Sequence, residues 1–160
     1  MKLRDRKDIF HKGVRLSDAL EAHGRWLAGE GDGERMDWSG ANMRDADMRY
    51  ADMSDANMRD ANMRDANMSY ADMDGITGNM REIKSAQFDQ WALTWTTAPD
   101  GEVTLQIGCQ RHNLSLWEKS DPRWINAMGP KAAEWWAKYR DVVLALVKAS
   151  PATPYGKERK

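Results

Sequence analysis

One cysteine, Cys109, in 160 residues excludes an intramolecular disulfide and a cysteine-rich zinc site. The three histidines, His11, His23 and His112, are scattered and offer no ligand spacing for a metal. Long apolar runs are also missing. No stretch approaches the roughly 20 residues of a membrane span, and the start Met1-Lys2-Leu3-Arg4-Asp5-Arg6 lacks the apolar centre of a signal peptide. These absences predict a cytoplasmic protein with no metal or other cofactor. An excess of either charge is absent too, with 24 basic and 25 acidic side chains, which argues against a dedicated polycationic nucleic-acid binder.

The near-neutral total conceals a segregation. Residues 1–35 carry 8 basic and 7 acidic side chains, residues 36–75 carry 4 and 9, and residues 76–160 carry 12 and 9. A middle segment of about −5 is therefore flanked by mildly positive ones. The length suits one domain or one compact domain with two lobes, and eight Trp are many for so short a chain.

The middle segment is a strict repeat. Seven consecutive five-residue units run from Ala41 to Gly75, each with Ala first, Asp or Asn second and Met third. A period of five fits neither a helix stripe nor strand alternation, so no standard element can bury Ala and Met together along it. If each quintet forms one short straight edge and then bends, Ala and Met both point to a common axis while the other places face water. That describes a solenoid held by stacking of its coils.

The A-(D/N)-M-x-x pattern resembles the pentapeptide-repeat family, with Met43, Met48, Met53, Met58, Met63, Met68 and Met73 where that family usually has Leu. The resemblance implies a mainly β fold, a short right-handed quadrilateral β-helix with four quintets per coil. Met matches Leu in volume and is more flexible, so the same fold with a softer interior is expected. The match is specific for residues 41–75, extends weakly to Met36-Asp37-Trp38-Ser39-Gly40, and covers about a quarter of the chain. Eight quintets give two coils about 10 Å tall at the spacing of sheet layers. Two bare coils hardly stand alone, so the flanks should be caps. The expected organisation is an N-terminal capping hairpin and helix (1–35), the β-helix (36–80), a C-terminal α+β lobe (81–150) and a flexible tail (151–160).

In the first flank, Ile9-Phe10 and Val14 around His11-Lys12-Gly13 predict a small hairpin. Ser17 is a candidate N-cap for a helix from Asp18 to about Ala28, which would lid the first coil and bury Trp26 or Trp38. After the repeat, Trp91–Trp95 and Val103–Ile107 alternate around a Pro99-Asp100-Gly101 turn, as a β-hairpin does. Asn113 and Asp121-Pro122 start short helices. A last helix begins near Gly129-Pro130, with Trp135, Trp136, Tyr139, Val142, Val143, Leu146 and Val147 at helical spacing. The run Ile107–His112, Trp117 and the Glu134-Trp135-Trp136 helix are similar to the C-terminal part of small phage and prophage members of the same family.

Candidate functional residues lie mainly on the outward places. Asp45, Asp47, Asp52, Asp55, Asp60, Asp65, Asp72 and Asp74 array carboxylates at regular steps, as a phosphate backbone arrays charge. The resemblance implies that some members inhibit DNA topoisomerases by imitating duplex DNA. Against this, Asp or Asn at the second place serves local turn hydrogen bonds, and Arg44, Arg49, Arg59 and Arg64 neutralise nearly half the field. Moreover, about 10 Å spans roughly three base-pair steps. Tyr50 and Tyr70 fall twenty residues apart, one coil above the other, and form either a binding hot spot or an internal ladder. Neighbours Trp135 and Trp136 point about 100° apart on a helix, so one of them, Trp136, is expected near the surface or in a subunit contact. Cys109 and His112 have the residue types of a nucleophile and base but no third group to orient them; a small buried thiol and a packed ring are the alternative.

The expected function is non-enzymatic: a phage-type accessory protein that binds a protein partner, with inhibition of a host nucleic-acid-acting assembly (CRISPR effector, restriction system or topoisomerase) as its use. Asp45, Asp55, Asp60, Asp65, Tyr50, Tyr70 and Trp136 are the expected partner-binding residues. The alternatives are a structural module that self-associates as a homodimer, a Cys-His enzyme and, on the basic residues of the C-terminal flank, direct nucleic-acid binding.

Overall fold

The computed structural model describes residues 2–155. Residues 36–77 form a β-helix-like stack in which parallel bridges join residues twenty apart: Asp37 to Asn57, Asn42 to Asn62, Asp47 to Asn67, Asp52 to Asp72 and Asn57 to Thr77. Four quintets therefore complete one coil, and the segment holds two coils, 36–55 and 56–75. Each bend is closed by a hydrogen bond from the N–H that opens a quintet to the third-place carbonyl three residues earlier, Ala to Met at six of the eight bends, such as Ala46 to Met43 at 3.1 Å. The residue before each of these N–H groups has positive φ, from 58° to 71° at Gly40, Asp45, Tyr50, Asp55, Asp60, Asp65, Tyr70 and Gly75. A positive φ at the third turn position alone marks a type II turn. That is the bend the period of five requires.

Ala and Met from Ala41 to Met73 are all buried, and Met36 and Trp38 take the same two inner places in the first quintet. The second-place oxygen accepts the N–H two residues on in every quintet; the pairs are Asp37–Ser39, Asn42–Arg44, Asp47–Arg49, Asp52–Ser54, Asn57–Arg59, Asn62–Arg64, Asn67–Ser69 and Asp72–Asp74. These side chains build the straight edges, as the turn chemistry of Asx residues predicts.

A stack of two coils has two raw edges, and the flanks satisfy them with side chains. At the upper edge, a 3-10 turn (Arg6–Asp8) follows an extended start. A hairpin of β1 (Phe10–His11) and β2 (Val14–Arg15) leads into α1 (Leu16–Leu27). Arg4 adds a rung of its own: its N–H donates to the Asp45 carbonyl at 2.7 Å and its carbonyl accepts from Asp47 at 3.1 Å. The Arg4 guanidinium reaches the Asn42 and Arg44 carbonyls, and Arg6 reaches those of Asp47 and Arg49. From α1, buried His23 sits over Ser54 and Met36. Helix α1 starts at Leu16 after Arg15 rather than at Asp18 after Ser17, because the hairpin ends directly in it; the Ser17 hydroxyl donates to Asp18 instead of capping. Trp38 is the Trp buried in the stack, while Trp26 lies beside His23, half-buried.

The lower edge rests on a four-stranded antiparallel meander, β3 (Lys84–Phe88), β4 (Trp91–Thr97), β5 (Val103–Ile107) and β6 (Gln110–Asn113). The hairpin read from the sequence is its centre; β3 and β6 lack the clean apolar alternation that marks a strand in the sequence. One sheet face carries Leu93, Trp95, Leu105 and Ile107 and packs on α2 (Leu114–Lys119), α3 (Pro122–Ala127) and α4 (Pro130–Ala149). The other face is polar yet buried. Thr94 donates to the Met73 carbonyl at 2.9 Å, Gln106 accepts the Met73 N–H at 3.2 Å and donates to Asp72 at 2.7 Å, and Arg111 reaches the Ala71 carbonyl. Asn79 closes the Ala61 carbonyl at 3.0 Å. A buried backbone group left unpaired costs about 1–3 kcal/mol, which is why this face must be polar.

The expected flexible tail is corrected for residues 151–155. Thr153 donates to the Arg81 carbonyl, Tyr155 to that of Thr97, and Ala152 and Tyr155 are buried. Residues 156–160 of that predicted tail lie outside the described residues.

Candidate protein interface

The twenty-residue register sets the four corners of the coil, each made of two stacked turn residues: Gly40 over Asp60, Asp45 over Asp65, Tyr50 over Tyr70, and Asp55 over Gly75. The acidic places therefore differ in kind. At the second corner Arg44 lies 3.5 Å from Asp45 and 3.8 Å from Asp65, and Arg64 lies 3.5 Å from Asp65. Asp65 is only 8% exposed, so the sequence reading of it as an outward carboxylate is corrected. Two like charges one layer apart repel, and the two guanidinium groups that neutralise them also cover them. Asp45 is half-buried in the same cluster. Asp47 is engaged as well: Arg49 pairs with it at 2.6 Å, and the hydrogen bond from that side chain holds its carboxyl below the usual range.

Asp52, Asp55 and Asp60 are exposed. At the lower edge Asp72 accepts from Gln106, and burial beside the lobe raises the carboxyl pKa of Asp74. The eight carboxylates do not form a continuous acidic face.

The third corner is the exception. Tyr50 and Tyr70 are 73% and 69% exposed, with ring centroids 5.2 Å apart and planes only 5° from parallel. Both stand at positive φ, where Gly, Asn and Asp are at home and a bulky residue is strained by about 1–2 kcal/mol. A stacked aromatic pair returns about 0.5–1.5 kcal/mol, which roughly offsets one such strain and not both. Stability alone gives weak grounds for Tyr at this corner. Clefts lie on both sides of the stack: one of about 750 Å³ includes Arg4, Arg6, Lys7 and Tyr50 in its walls, and another of about 530 Å³ includes Tyr70, Glu102, Arg111 and Tyr155.

Trp136 is corrected as a surface residue. It is 5% exposed, donates its indole N–H to Ser120 at 3.0 Å and packs on Trp117, while Trp135 donates to the Phe88 carbonyl at 3.0 Å. Trp135 faces β3 and Trp91 of the sheet while Trp136 faces α2, so both directions from the adjacent Trp side chains lead inward. The exposed large apolar residue of α4 is Val142.

Cys109 is exposed at the β5–β6 turn, whereas His112 is wedged edge-on between Trp117 and Trp124, and its side-chain hydrogen-bond partner among the described residues is Gln110 at 3.4 Å. No hydrogen bond joins Cys109 to His112 among the described residues. Burial lowers the pKa of the His112 ring. Among the described residues no group of three or more His, Cys, Asp or Glu is placed to hold a metal ion, and no helix is long and apolar enough to cross a membrane.

The residues that sequence reading missed are the edge-closing ones: Arg4, Arg6, His23, Gln106 and Arg111. Each acts across more than thirty positions or between separate elements, so no local pattern announces it. The signal that existed was the need itself, since two open edges must be closed by something.

A family model described as Pentapeptide repeats matches the chain in eight copies, over residues 34–65 and 41–77. No curated protein and no solved structure gives a significant match. With an A-(D/N)-M-x-x sequence, type II turns and coils of twenty residues, residues 34–77 of this chain are a segment of pentapeptide repeats.

Proposed function

We propose that this protein is a non-enzymatic protein-recognition module, a right-handed four-sided coil held between two caps, whose contact centres on the Tyr50–Tyr70 corner. Pentapeptide repeats serve as protein-interaction modules, and the observation that carries the reading here is the exposed, strained and stacked Tyr pair. Large aromatic rings on a rigid element lose little entropy on binding and dominate interface energetics.

Within that reading, the partner we favour is a nucleic-acid-processing complex inhibited by a small phage-type protein. Its support is chemical: Asp55 remains exposed on the corner next to the aromatic patch, and Asp60 on the corner opposite it, so the same coils carry free carboxylates. Self-association is the second reading. With Trp136 buried it rests on the Tyr pair alone.

The test is capture from bacterial lysate with wild type, a Tyr50→Asn/Tyr70→Asn variant and an Asp55→Asn/Asp60→Asn variant. Asn tolerates the left-handed turn, so the first variant keeps the coil. A partner held by wild type and lost with the rings supports the proposal, and additional loss with the carboxylates supports the nucleic-acid-enzyme target. A partner equally retained by all three sinks it, while a wild-type dimer that the Tyr variant turns into a monomer selects self-association.

A further inference from the structure

The upper edge of the first coil is closed unevenly. Over Ala46–Tyr50 the chain lays down its own rung, Arg4-Asp5-Arg6. Arg4 donates to the carbonyl before the quintet and accepts the N–H of its second residue, while Arg6 spans the carbonyls of the second and fourth residues, Asp47 and Arg49. Met36–Gly40 lies two quintets earlier along the same coil and presents the same set of groups: the Arg35 carbonyl, the Asp37 N–H, and the Asp37 and Ser39 carbonyls. Its lower side is engaged, with Trp38 and Gly40 donating to Asn57 and Arg59 at 2.9 and 2.8 Å. Among the described residues, no hydrogen bond from the protein reaches the upper groups.

A groove of about 470 Å³ runs over this edge, between α1, the β1–β2 hairpin and Met36-Asp37-Trp38. Of the cations lining it, Arg25 is held by Glu21 at 3.0 Å and Asp32 at 3.4 Å, and Arg35 by the Asp55 carbonyl at 2.7 Å. That leaves Lys12 facing Asp18, Glu34 and Asp37, none of which has an ion-pair partner within 4.0 Å among the described residues.

We propose that the open edge of Met36–Gly40 is a docking site for an extended protein segment bearing Arg-x-Arg, which adds a rung there as Arg4-Asp5-Arg6 does two quintets on. Main-chain pairing with an exposed edge gives the segment its direction and register. The two arginines supply its specificity: the first beside Met36 near Glu34, the second above the Asp37 and Ser39 carbonyls. The excess of carboxylates attracts the cationic segment and disfavours an acidic one. This inference rests on the reading of the protein as a recognition module, but uses a different surface from the Tyr corner.

The probe is a fluorescently labelled peptide of the chain's own residues 2–7, Lys-Leu-Arg-Asp-Arg-Lys, titrated into the full-length protein. Saturable binding is expected. It should fall at least tenfold when the backbone nitrogen of the first Arg is methylated, and at least tenfold for the Glu34→Gln/Asp37→Asn protein. Asn already stands at the second place of Asn42, Asn57, Asn62 and Asn67, so that variant keeps its local turn. Hydrogen exchange at the Asp37 N–H should slow on binding. Binding that ignores the methyl group would reduce the effect to charge and overturn the proposal. So would binding that leaves Asp37 exchange unchanged, or an absence of binding at millimolar peptide. A dimer that the peptide does not compete away, but that protects Asp37, would assign the edge to a second copy and also overturn it. Capture through the Tyr pair is unaffected by any of these results, so the two readings fail separately.

Discussion

His23 Nε2 lies 2.9 Å from the Ser54 carbonyl oxygen, while its Nδ1 accepts the Met36 N–H at 3.1 Å. Only the neutral ring with its proton on Nε2 can do both. The ring is fully buried, and burial chiefly lowers its pKa below 6.5, against a smaller raising contribution from the Ser54 hydrogen bond. Asp52, Asp55 and Arg35 are the charges that face it. The unfolded chain therefore takes up the proton first as pH falls. Stability is full above about 6.5 and declines through the window below it, by at most about 1.4 kcal/mol per pH unit for one group. His112 adds a contribution of the same sign. Melting temperatures between pH 7.5 and 5 should fall, and His23→Gln should flatten the slope; a pH-independent melt would refute the tautomer assignment.

Replacing both exposed Tyr residues by Asn exchanges strain against stacking. The expected change is a modest gain in stability, about 1 kcal/mol, because the strain of two left-handed Tyr residues exceeds what one stack returns. Chemical denaturation measures this. A loss above about 3 kcal/mol would mean that the rings serve the fold rather than a partner.

The Met column tolerates shape better than loss of volume. Met58→Leu, at a site with no exposed surface, should cost less than about 1.5 kcal/mol, and Met58→Ala about 2–5 kcal/mol. Denaturant midpoints at an unchanged slope would verify the order; equal costs would show that the core closes over the cavity.

Gly33 has no room for a side chain, since a Cβ there would overlap the backbone nitrogen of Trp26. Gly33→Ala should push α1 away from the coil and lower stability by more than about 1 kcal/mol, with accelerated hydrogen exchange in α1 first. A neutral result would mean that the segment returning from α1 shifts freely.

Cys109 is exposed, so a thiol reagent should label the native protein promptly, and Cys109→Ser should change stability by less than about 0.5 kcal/mol. Prompt labelling here reports access and not catalysis. Protection of the native thiol would contradict the β5–β6 turn geometry.

The repeat was readable because its signal is local. Ala and Met at fixed places state what is buried, and a period of five states that the chain must bend. Placing Tyr50 over Tyr70 needed only the twenty-residue register. The same register stacks Asp45 on Asp65, and asking what neutralises two stacked carboxylates would have pointed to Arg44 and Arg64 and to the burial of Asp65. The flanks were less legible. Thr94, Thr96 and Gln106 look like the solvent face of a hairpin, and only the coil edge beneath them explains why they are buried. Trp136 followed helical geometry correctly in direction, but the sequence does not show that two further short helices lie on that side.

Each cap meets the coil through groups that recur every twenty residues, so the length of the stack is quantised. Duplicating residues 56–75 would lift the C-terminal lobe by one layer, about 4.8 Å, and give it the same contacts at the same angle. Adding a single quintet would instead turn the lobe by a quarter revolution, carrying Thr94 and Gln106 away from Met73 and onto the wrong side. Insertions and deletions of whole coils are thus the natural route by which such a protein could change its reach while keeping both ends intact.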